Sequence, residues 1–419
     1  MTDQHDPRDE LGILAPRNMK AKFDYLHREV QRAAGVPITR RKALGLGGLA
    51  ILAGAAAACA KAVTTTPKNT ASPGGASANP LTGKALENRL EIYNWSEYDD
   101  PSTYKLFRKL PDEAAVGMTT HETYYSSNDE LLAKLHAGGS GYDIIVPSQN
   151  AVAQLIAEGK LLAMDKALLP NLKYLDQSFL KPSYDPTGDY HIIKDFGITM
   201  FFYNNQIVTD QPKSMLDFYN LLTKYISKGR TNLLDGAEEV VPLALMAIGI
   251  DPNTSSQSDF AKVSSFLLPL RKGVTTISSS GYIDDSIAGK IILSQGWNGD
   301  VRRIVQGRAK QGDITPIIPT EASEIWADNW CILANAPHPV AAHAWINWLL
   351  TPSTAVTEMN YHNYHIPIPD AVSQLSSDLR DDPLFNVPKT YTDNYHYILN
   401  VSPQVVQSRT QIYTEFKAA

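Results

Sequence analysis

Short apolar stretches alternate with amphipathic segments from about residue 88 onward. Residues 89–95 (RLEIYNW) alternate apolar and polar positions, which predicts a strand, and Pro101 suits the first turn of a following helix. Ser127 can cap a second helix that Gly138 ends. The apolar run at 142–146 predicts a strand buried in a parallel sheet. Strands that alternate with helices in this way predict an α/β fold.

The apolar run nearest the N-terminus has a different character. Thr39-Arg40-Arg41-Lys42 precedes an Ala-, Gly- and Leu-rich run at 43–58, which ends at Cys59. This run is shorter than the roughly 20 residues of a spanning helix, and its pattern is typical of an export signal. The sequence at 56–59 (AAAC) resembles a bacterial lipobox, which implies a lipidated Cys59. The paired arginines resemble a twin-arginine signal, and Tat and Sec export both stay open, as does an uncleaved membrane anchor.

Residues 1–58 are therefore predicted to form a signal region with a long cytosolic part. The Thr-, Pro-, Ser- and Gly-rich segment that follows has no apolar periodicity and cannot bury a core. We expect residues 59–87 to form a flexible tether between the membrane and the folded part.

Charge separates the signal region from the rest of the chain. The chain of 419 residues has a formal net charge of -6, but residues 1–58 hold nine Lys and Arg against six Asp and Glu. The remainder is therefore strongly acidic, which disfavours nucleic acid and suits a cationic ligand, although surface carboxylates that promote solubility would give the same balance. Two cysteines, Cys59 and Cys331, do not make a disulfide framework, and Cys331 is expected in the core.

Motifs for catalysis are missing from the sequence. There is no G-x-x-x-x-G-K-[ST] phosphate loop and no G-x-S-x-G nucleophile elbow. His362 and His365 lie three apart without a cysteine or carboxylate beside them, so a structural role is favoured over a metal site. We therefore expect a binding protein without cofactor or metal, and not an enzyme.

Several short motifs point to one family when they are taken in order. The segment 94–98 (NWSEY) resembles the Asn-Trp-Ser/Thr-Glu-Tyr segment of the bacterial spermidine/putrescine-binding proteins. Residues 127–135, 142–148 and 296–299 resemble the family's first helix, next strand and Trp-Asn-Gly turn. Trp326-Ala327-Asp328 resembles its Trp-x-Asp, and Tyr364 its tyrosine after the last helix of the first lobe.

The resemblance implies a two-lobed periplasmic-binding-protein-like fold of type II, with crossed connections and a hinge. It places lobe 1 at 88–197 plus 328–370 and lobe 2 at 198–327 plus 371–419. The implied function is extracytoplasmic binding of a polyamine in the cleft between the lobes and its delivery to an ABC permease and its ATPase, by a monomer anchored to the cell membrane.

A polyamine carries ammonium groups on a methylene chain, so it requires carboxylates and aromatic faces. The resemblance implies ligand-binding roles for the following residues: Trp95, Ser96, Glu97, Tyr98, Ser148, Asp235, Glu239, Trp297, Trp326, Asp328 and Tyr364.

The chain departs from the family pattern at two positions. Counting back from Glu239, the family's aspartate would fall on Gly236, and Asp235 is one residue early. Asn150 stands where the family often has tyrosine. The preferred polyamine, and whether Asp235 contacts it, therefore stay open.

Other functions are compatible with the same fold. The ligand could be another organic cation or ferric ion, and Tyr124-Tyr125 resembles the paired tyrosines of iron-binding members, although strand packing also explains them. An extracytoplasmic enzyme is a further alternative. A cosensor that docks on a receptor would use the same liganded form, so the sequence does not separate import from sensing.

Overall fold

The computed structural model describes residues 81–138, 141–392 and 394–419. The predicted signal region, the lipidation site at Cys59 and the tether up to residue 80 lie outside the described residues. Among the helices described, none combines the length and the apolar composition that crossing a membrane requires.

The described chain alternates strands and helices, as predicted. The strands are β1 (Arg89–Trp95), β2 (Thr119–Tyr125), β3 (Ile144–Ile145), β4 (Ile192–Asn204), β5 (Arg230–Leu233), β6 (Thr276–Ile277), β7 (Ile291–Trp297), β8 (Ile314–Ile317) and β9 (Ile325–Ile332). The helices are α1 (Pro101–Phe107), α2 (Pro111–Ala115), α3 (Asn128–His136), α4 (Gln149–Ala157), α5 (Met215–Tyr225), α6 (Ala237–Ala247), α7 (Gln257–Leu267), α8 (Tyr282–Ile287), α9 (Asn298–Gly307), α10 (Pro339–Leu349), α11 (Pro352–His362), α12 (Pro369–Val372), α13 (Ser377–Arg380), α14 (Lys389–Thr392) and α15 (Pro403–Ala418).

One long strand, β4, connects the two halves of the sheet. The strand order is β2-β1-β3-β9-β4-β7-β5-β6, and β8 also pairs with β4. Residues 192–198 of β4 pair antiparallel with β9, whereas residues 199–204 pair antiparallel with β7 and β8. Strands β1, β2 and β3 are parallel, and so are β5, β6 and β7. This mixed sheet with crossing strands is the topology that the two-lobed fold requires.

The two halves of the sheet have separate cores. On one side, residues from β1, β3, β9, α10 and α11 pack around the fully buried Trp345. On the other side, α5, α6, α7 and α15 pack on β5 and β7, with Phe218 and Phe416 fully buried. Each half therefore buries its own apolar surface, so the cleft between them need not supply folding energy.

Local predictions can be compared with the structure element by element. The strand at 89–95, the helix at Pro101 and the Ser127 cap, whose hydroxyl accepts from the Glu130 amide at 3.1 Å, are confirmed, and Cys331 is fully buried. The strand expected at 142–146 is shorter: the ladder holds Ile144 and Ile145.

Two residues, Asp143 and Pro147, explain why this ladder is short. The Asp143 carboxylate, and not a carbonyl, accepts from the Glu91 amide at 2.8 Å and from the His338 amide at 2.6 Å. Pro147 has no amide proton to extend the ladder.

The predicted lobe boundaries stay a prediction, and packing suggests a refinement. Leu375, Leu379 and Phe385 pack in the first core, while Ile398 packs in the second. We therefore propose that the last crossing between lobes follows Phe385 and not residue 370.

The C-terminal end of the predicted tether packs on the folded part. The Asp165 carboxylate accepts from the amides of Leu81 and Thr82 at 2.9 and 3.1 Å. Glu87 accepts from the Ala341 amide in the first turn of α10 at 2.8 Å. Such bonds to helical N-terminal amides are stabilising.

Candidate functional site

A pocket lies between the two cores, and residues of β9 form part of its lining. It encloses about 1150 Å³, including space open to solvent. All the residues predicted for ligand binding line it: Trp95, Ser96, Glu97, Tyr98, Ser148, Asp235, Glu239, Trp297, Trp326, Asp328 and Tyr364. Whether each contacts a ligand stays a prediction.

The turn after β1 forms one wall of the pocket. The Trp95 indole donates to the Val146 carbonyl at 2.8 Å, which fixes its ring across the end of β3. Glu97 is exposed and has φ of 60°, a left-handed conformation that is uncommon outside glycine. Tyr98 is buried, because the chain turns inward directly after Glu97.

Asp328 is the acidic centre of this wall. It faces the pocket from β9, and its carboxylate accepts from the Ser148 hydroxyl at 2.6 Å and the Tyr98 hydroxyl at 2.9 Å. Burial, and then the negative charge of Asp195, raises its pKa to about 7. Two hydroxyls orient this carboxylate without neutralising it.

Glu239 faces the pocket from the other half of the fold. It lies in the first turn of α6, and its Oε1 accepts from the Trp297 indole at 3.1 Å. Its Oε2 is buried and has no hydrogen-bond partner among the described residues. Burial raises the pKa of Glu239 to about 7, with a further contribution from Asp328. A buried carboxylate oxygen without a donor is costly unless a ligand supplies one.

The departure at Gly236 has a structural reason. Gly236 caps α6 with φ of 131°, a conformation that favours glycine, so an aspartate at this position would be strained. Asp235 does line the pocket, but the Tyr413 hydroxyl donates to it and the Lys417 ammonium is 4.0 Å away. Its charge is therefore already partly compensated.

Aromatic rings line the pocket between these acids. Trp326 and Tyr364 are buried in an edge-to-face pair with centroids 5.0 Å apart, and Trp95 and Trp297 form a second edge-to-face pair with centroids 6.5 Å apart. Two glycines make room for the first pair. A Cβ on Gly197 would lie 2.4 Å from the Trp326 ring, and one on Gly299 would lie 2.6 Å from the Tyr364 ring.

Several residues near the pocket were missed by the sequence reasoning. Asp300, Arg303, Glu324 and His362 line it in addition to the predicted set. Glu324 was detectable, because it precedes Trp326 and Asp328 at the two-residue period of a strand.

A buried ion cluster behind Tyr98 was missed as well. The Lys194 ammonium lies 3.0 Å from Asp195 and 3.2 Å from Asp99, and 3.6 Å from the centroid of the Tyr98 ring. The sequence reasoning made no use of Lys194 and Asp195, which interrupt the mainly apolar residues of β4.

The lining is predominantly acidic. Among the described residues, its carboxylates are Glu97, Asp129, Asp235, Glu238, Glu239, Asp300, Glu324 and Asp328. Three of them have a cationic neighbour: Arg303 lies 3.8 Å from Asp300, Arg409 lies 2.5 Å from Glu238, and Lys417 lies 4.0 Å from Asp235. No Lys, Arg or His nitrogen of the described chain lies within ion-pair distance of Asp328, Glu239 or Glu324. The pocket is thus built for a cation with apolar parts.

Fold and pocket together define an extracellular solute-binding protein. The family model for bacterial extracellular solute-binding proteins matches residues 113–387, and the chain belongs to this family. The spermidine/putrescine-binding periplasmic protein of Escherichia coli is 31% identical over 296 residues, which cover 70% of this chain and 82% of that protein.

One further relative and one solved structure match this chain over a similar share of its length. The spermidine/putrescine-binding periplasmic protein 1 of Haemophilus influenzae is 29% identical over 338 residues, covering 80% of this chain and 90% of that protein. A solved Listeria monocytogenes protein, provisionally assigned to a spermidine/putrescine ABC transporter, superposes with a TM-score of 0.73 at 26% identity, over 79% of this chain and 99% of its own. The fold is the type II periplasmic-binding fold, as predicted.

Proposed function

We propose that this protein binds a polyamine in the pocket between its lobes and delivers it to an ABC permease. The observation that carries the proposal is the pair formed by Asp328 and Glu239. They face one pocket from opposite halves of the fold, both are buried, and neither has a cationic partner in the described chain. The names of the relatives support a polyamine as the cation.

The aromatic walls favour an alkyl amine over a metal ion. Methylene groups pack on indole and phenol rings, and neighbouring ammonium groups are attracted to the ring faces by roughly 0.5–2 kcal/mol each. Tyr124, half of the tyrosine pair that suggested iron, is not in the lining, and its hydroxyl donates to Glu122 at 2.7 Å. Tyr125 does line the pocket, but its hydroxyl donates to the Val146 carbonyl.

The proposed role is capture and release without chemistry. Binding should draw the two halves together, since each contributes a carboxylate to the same ligand. The protein would act as a monomer on the outer face of the cell membrane, after Tat or Sec export, and would be held there by a lipid on Cys59. Membership of the bacterial extracellular solute-binding family supports a location outside the cytoplasm.

Calorimetric titration of the full chain in mild detergent tests the ligand. Spermidine and putrescine are compared with a monoamine of similar length, a quaternary amine and ferric ion. We expect saturable binding of a polyamine, with a stabilisation of about 2.7 kcal/mol at 100 times the dissociation constant. If no polyamine binds or shifts the melting temperature at millimolar concentration, the proposal is wrong, and the ligand that does bind replaces it.

The anchor is tested separately by Cys59→Ser. Mass spectrometry of the wild-type protein should find a lipidated Cys59 as the first residue. The variant should lose the lipid and leave the cleaved, membrane-bound pool. A mature N-terminus at another position would contradict the anchor but would leave the binding proposal intact.

A further inference from the structure

Strand β9 and the residue before it present three chemically complementary side chains to the pocket. Glu324, Trp326 and Asp328 alternate along extended backbone, and all three line the pocket. Glu324 belongs to the same ladder, because its carbonyl accepts from the Thr199 amide at 3.1 Å and it bridges to His396. Residues two apart share one face of a strand, so acid, indole and acid follow one another along this face.

Glu324 is buried without a partner that explains its charge. Its exposed fraction is 6%, and its one hydrogen bond from a described side chain is the long contact of Oε2 with the Thr199 hydroxyl at 3.4 Å. A carboxylate in such a place is costly unless a cation accompanies it.

The surroundings of Glu324 add further negative charge. Burial raises its pKa well above the usual range, and the charges of Glu239, Glu238 and Asp328 raise it further. The Thr199 hydroxyl acts in the opposite direction. Of these neighbours, Glu238 is paired with Arg409, and the other two are not paired. Protonation of Glu324 is therefore favoured in the empty pocket, and an arriving ammonium would favour its ionised form.

The length of the strand relates this arrangement to a ligand. Four residues of extended backbone separate Glu324 from Asp328, which is about 13 Å. A diamine with four methylenes has five bonds and is roughly 6 Å long, about half of this backbone spacing, so it matches the spacing less well than a longer amine does. A triamine with seven methylenes has nine bonds and is roughly 11 Å long. Its methylenes would cross Trp326 between the two charged ends.

We propose that Glu324 is a further ligand-binding residue, which holds the far ammonium of a triamine anchored at Asp328 and so favours triamines over diamines. This inference rests on the proposed function, and it concerns a residue that the sequence resemblance did not include. A diamine would use Asp328 and Glu239 alone.

The test compares two ligands on three forms of the full chain. Wild type, Glu324→Gln and the control Glu321→Gln are titrated with spermidine and with putrescine by calorimetry. Glu321 is exposed on the same segment, and its carboxylate accepts from the Met215 amide outside the pocket. Glu324→Gln should weaken spermidine binding by about thirtyfold or more and putrescine binding by less than about threefold. The control should change neither.

Proton release gives a second readout. Titrating wild type in two buffers of different ionisation enthalpy yields the number of protons released. Spermidine should release more protons than putrescine, and Glu324→Gln should remove the difference. Equal release by the two ligands, or an equal loss of affinity for both, would overturn the role of Glu324. If neither polyamine binds wild type, the proposed function itself fails.

Discussion

Two groups of buried carboxylates lie on opposite sides of Tyr98, and they differ in whether a cation accompanies them. Behind Tyr98, Asp99 and Asp195 share the ammonium of Lys194. In front of it, Asp328 has hydroxyl donors and no ion-pair partner in the described chain. The Tyr98 hydroxyl lies within hydrogen-bond distance of both Asp195 and Asp328, so one side chain joins the two groups.

The presence or absence of a cationic partner distinguishes carboxylates that stabilise the fold from carboxylates that bind the ligand. Removing one partner of a buried ion pair is strongly destabilising, because the other charge is left uncompensated. An unpaired buried carboxylate is unfavourable in the empty protein. When a cationic ligand supplies the missing partner, the new ion pair contributes to the free energy of binding. The group behind Tyr98 should therefore matter for folding, and the group in front should matter for binding.

Removal of Lys194 should have the largest effect on folding. Lys194→Met leaves Asp99 and Asp195 buried without their cation, and we expect a loss of about 3–5 kcal/mol in the free energy of unfolding. Chemical denaturation at pH 7.5 measures it. The control is Lys224→Met, because Lys224 is exposed and pairs with Asp210 at 2.6 Å, so its loss should be within about 1 kcal/mol. Equal losses in the two variants would show that the buried cluster is not structural.

Removal of the Asp328 charge should act on binding and spare the fold. Asp328→Asn should weaken polyamine binding by about 3–5 kcal/mol, measured by calorimetry at pH 8. The unliganded variant should be at least as stable as wild type at this pH, because the wild-type carboxylate is ionised and unpaired there. Asp370→Asn, an exposed charge on α12, is the control. A large loss of stability in Asp328→Asn would contradict the contrast between the two groups.

The residues that the sequence resemblance selected line one pocket, and their binding role stays a prediction, whereas the structural group was not predicted at all. Trp95, Glu97, Asp328 and their neighbours were accessible because they lie in short motifs that resemble those of the polyamine-binding family, and the fold brings these motifs to one pocket. The fold class followed from the alternation of strands and helices.

The remaining features depend on contacts across the fold. Lys194 gains its role from Asp99, which lies 95 positions away in the chain, and the register of β4 and β9 brings Asp195 opposite Asp328. The short β3 ladder depends on the Asp143 side chain, which replaces a backbone acceptor. No local pattern encodes such pairings.

The protonation of the unpaired carboxylates predicts a moderate pH dependence. Asp328 and Glu239 have pKa values raised to about 7, so their protonated native forms contribute stability at low pH that is lost as the pH rises through 7. Cation binding needs the ionised carboxylates, so the affinity for a cation rises as the pH rises. We expect polyamine affinity to fall roughly tenfold or more from pH 8 to pH 6, while the unliganded protein becomes more stable. Calorimetry and thermal denaturation across this range measure both, and a flat affinity profile would contradict the raised pKa values.

Glu97 should show the smallest effect, and it sharpens the comparison because it lines the same pocket without being buried. Its side chain is exposed on the turn after β1, so water screens its attraction to an ammonium in the empty and the liganded state. Glu97→Gln should therefore weaken polyamine binding by about 1 kcal/mol or less, with stability unchanged. Titration at low and at high salt distinguishes this rim charge from Asp328: the small contribution of Glu97 should vanish at high salt, whereas the loss in Asp328→Asn should persist. A loss of polyamine affinity in Glu97→Gln as large as that in Asp328→Asn would mean that closure of the two halves buries Glu97. Burial in the unliganded pocket would then not predict which residues contribute most to binding.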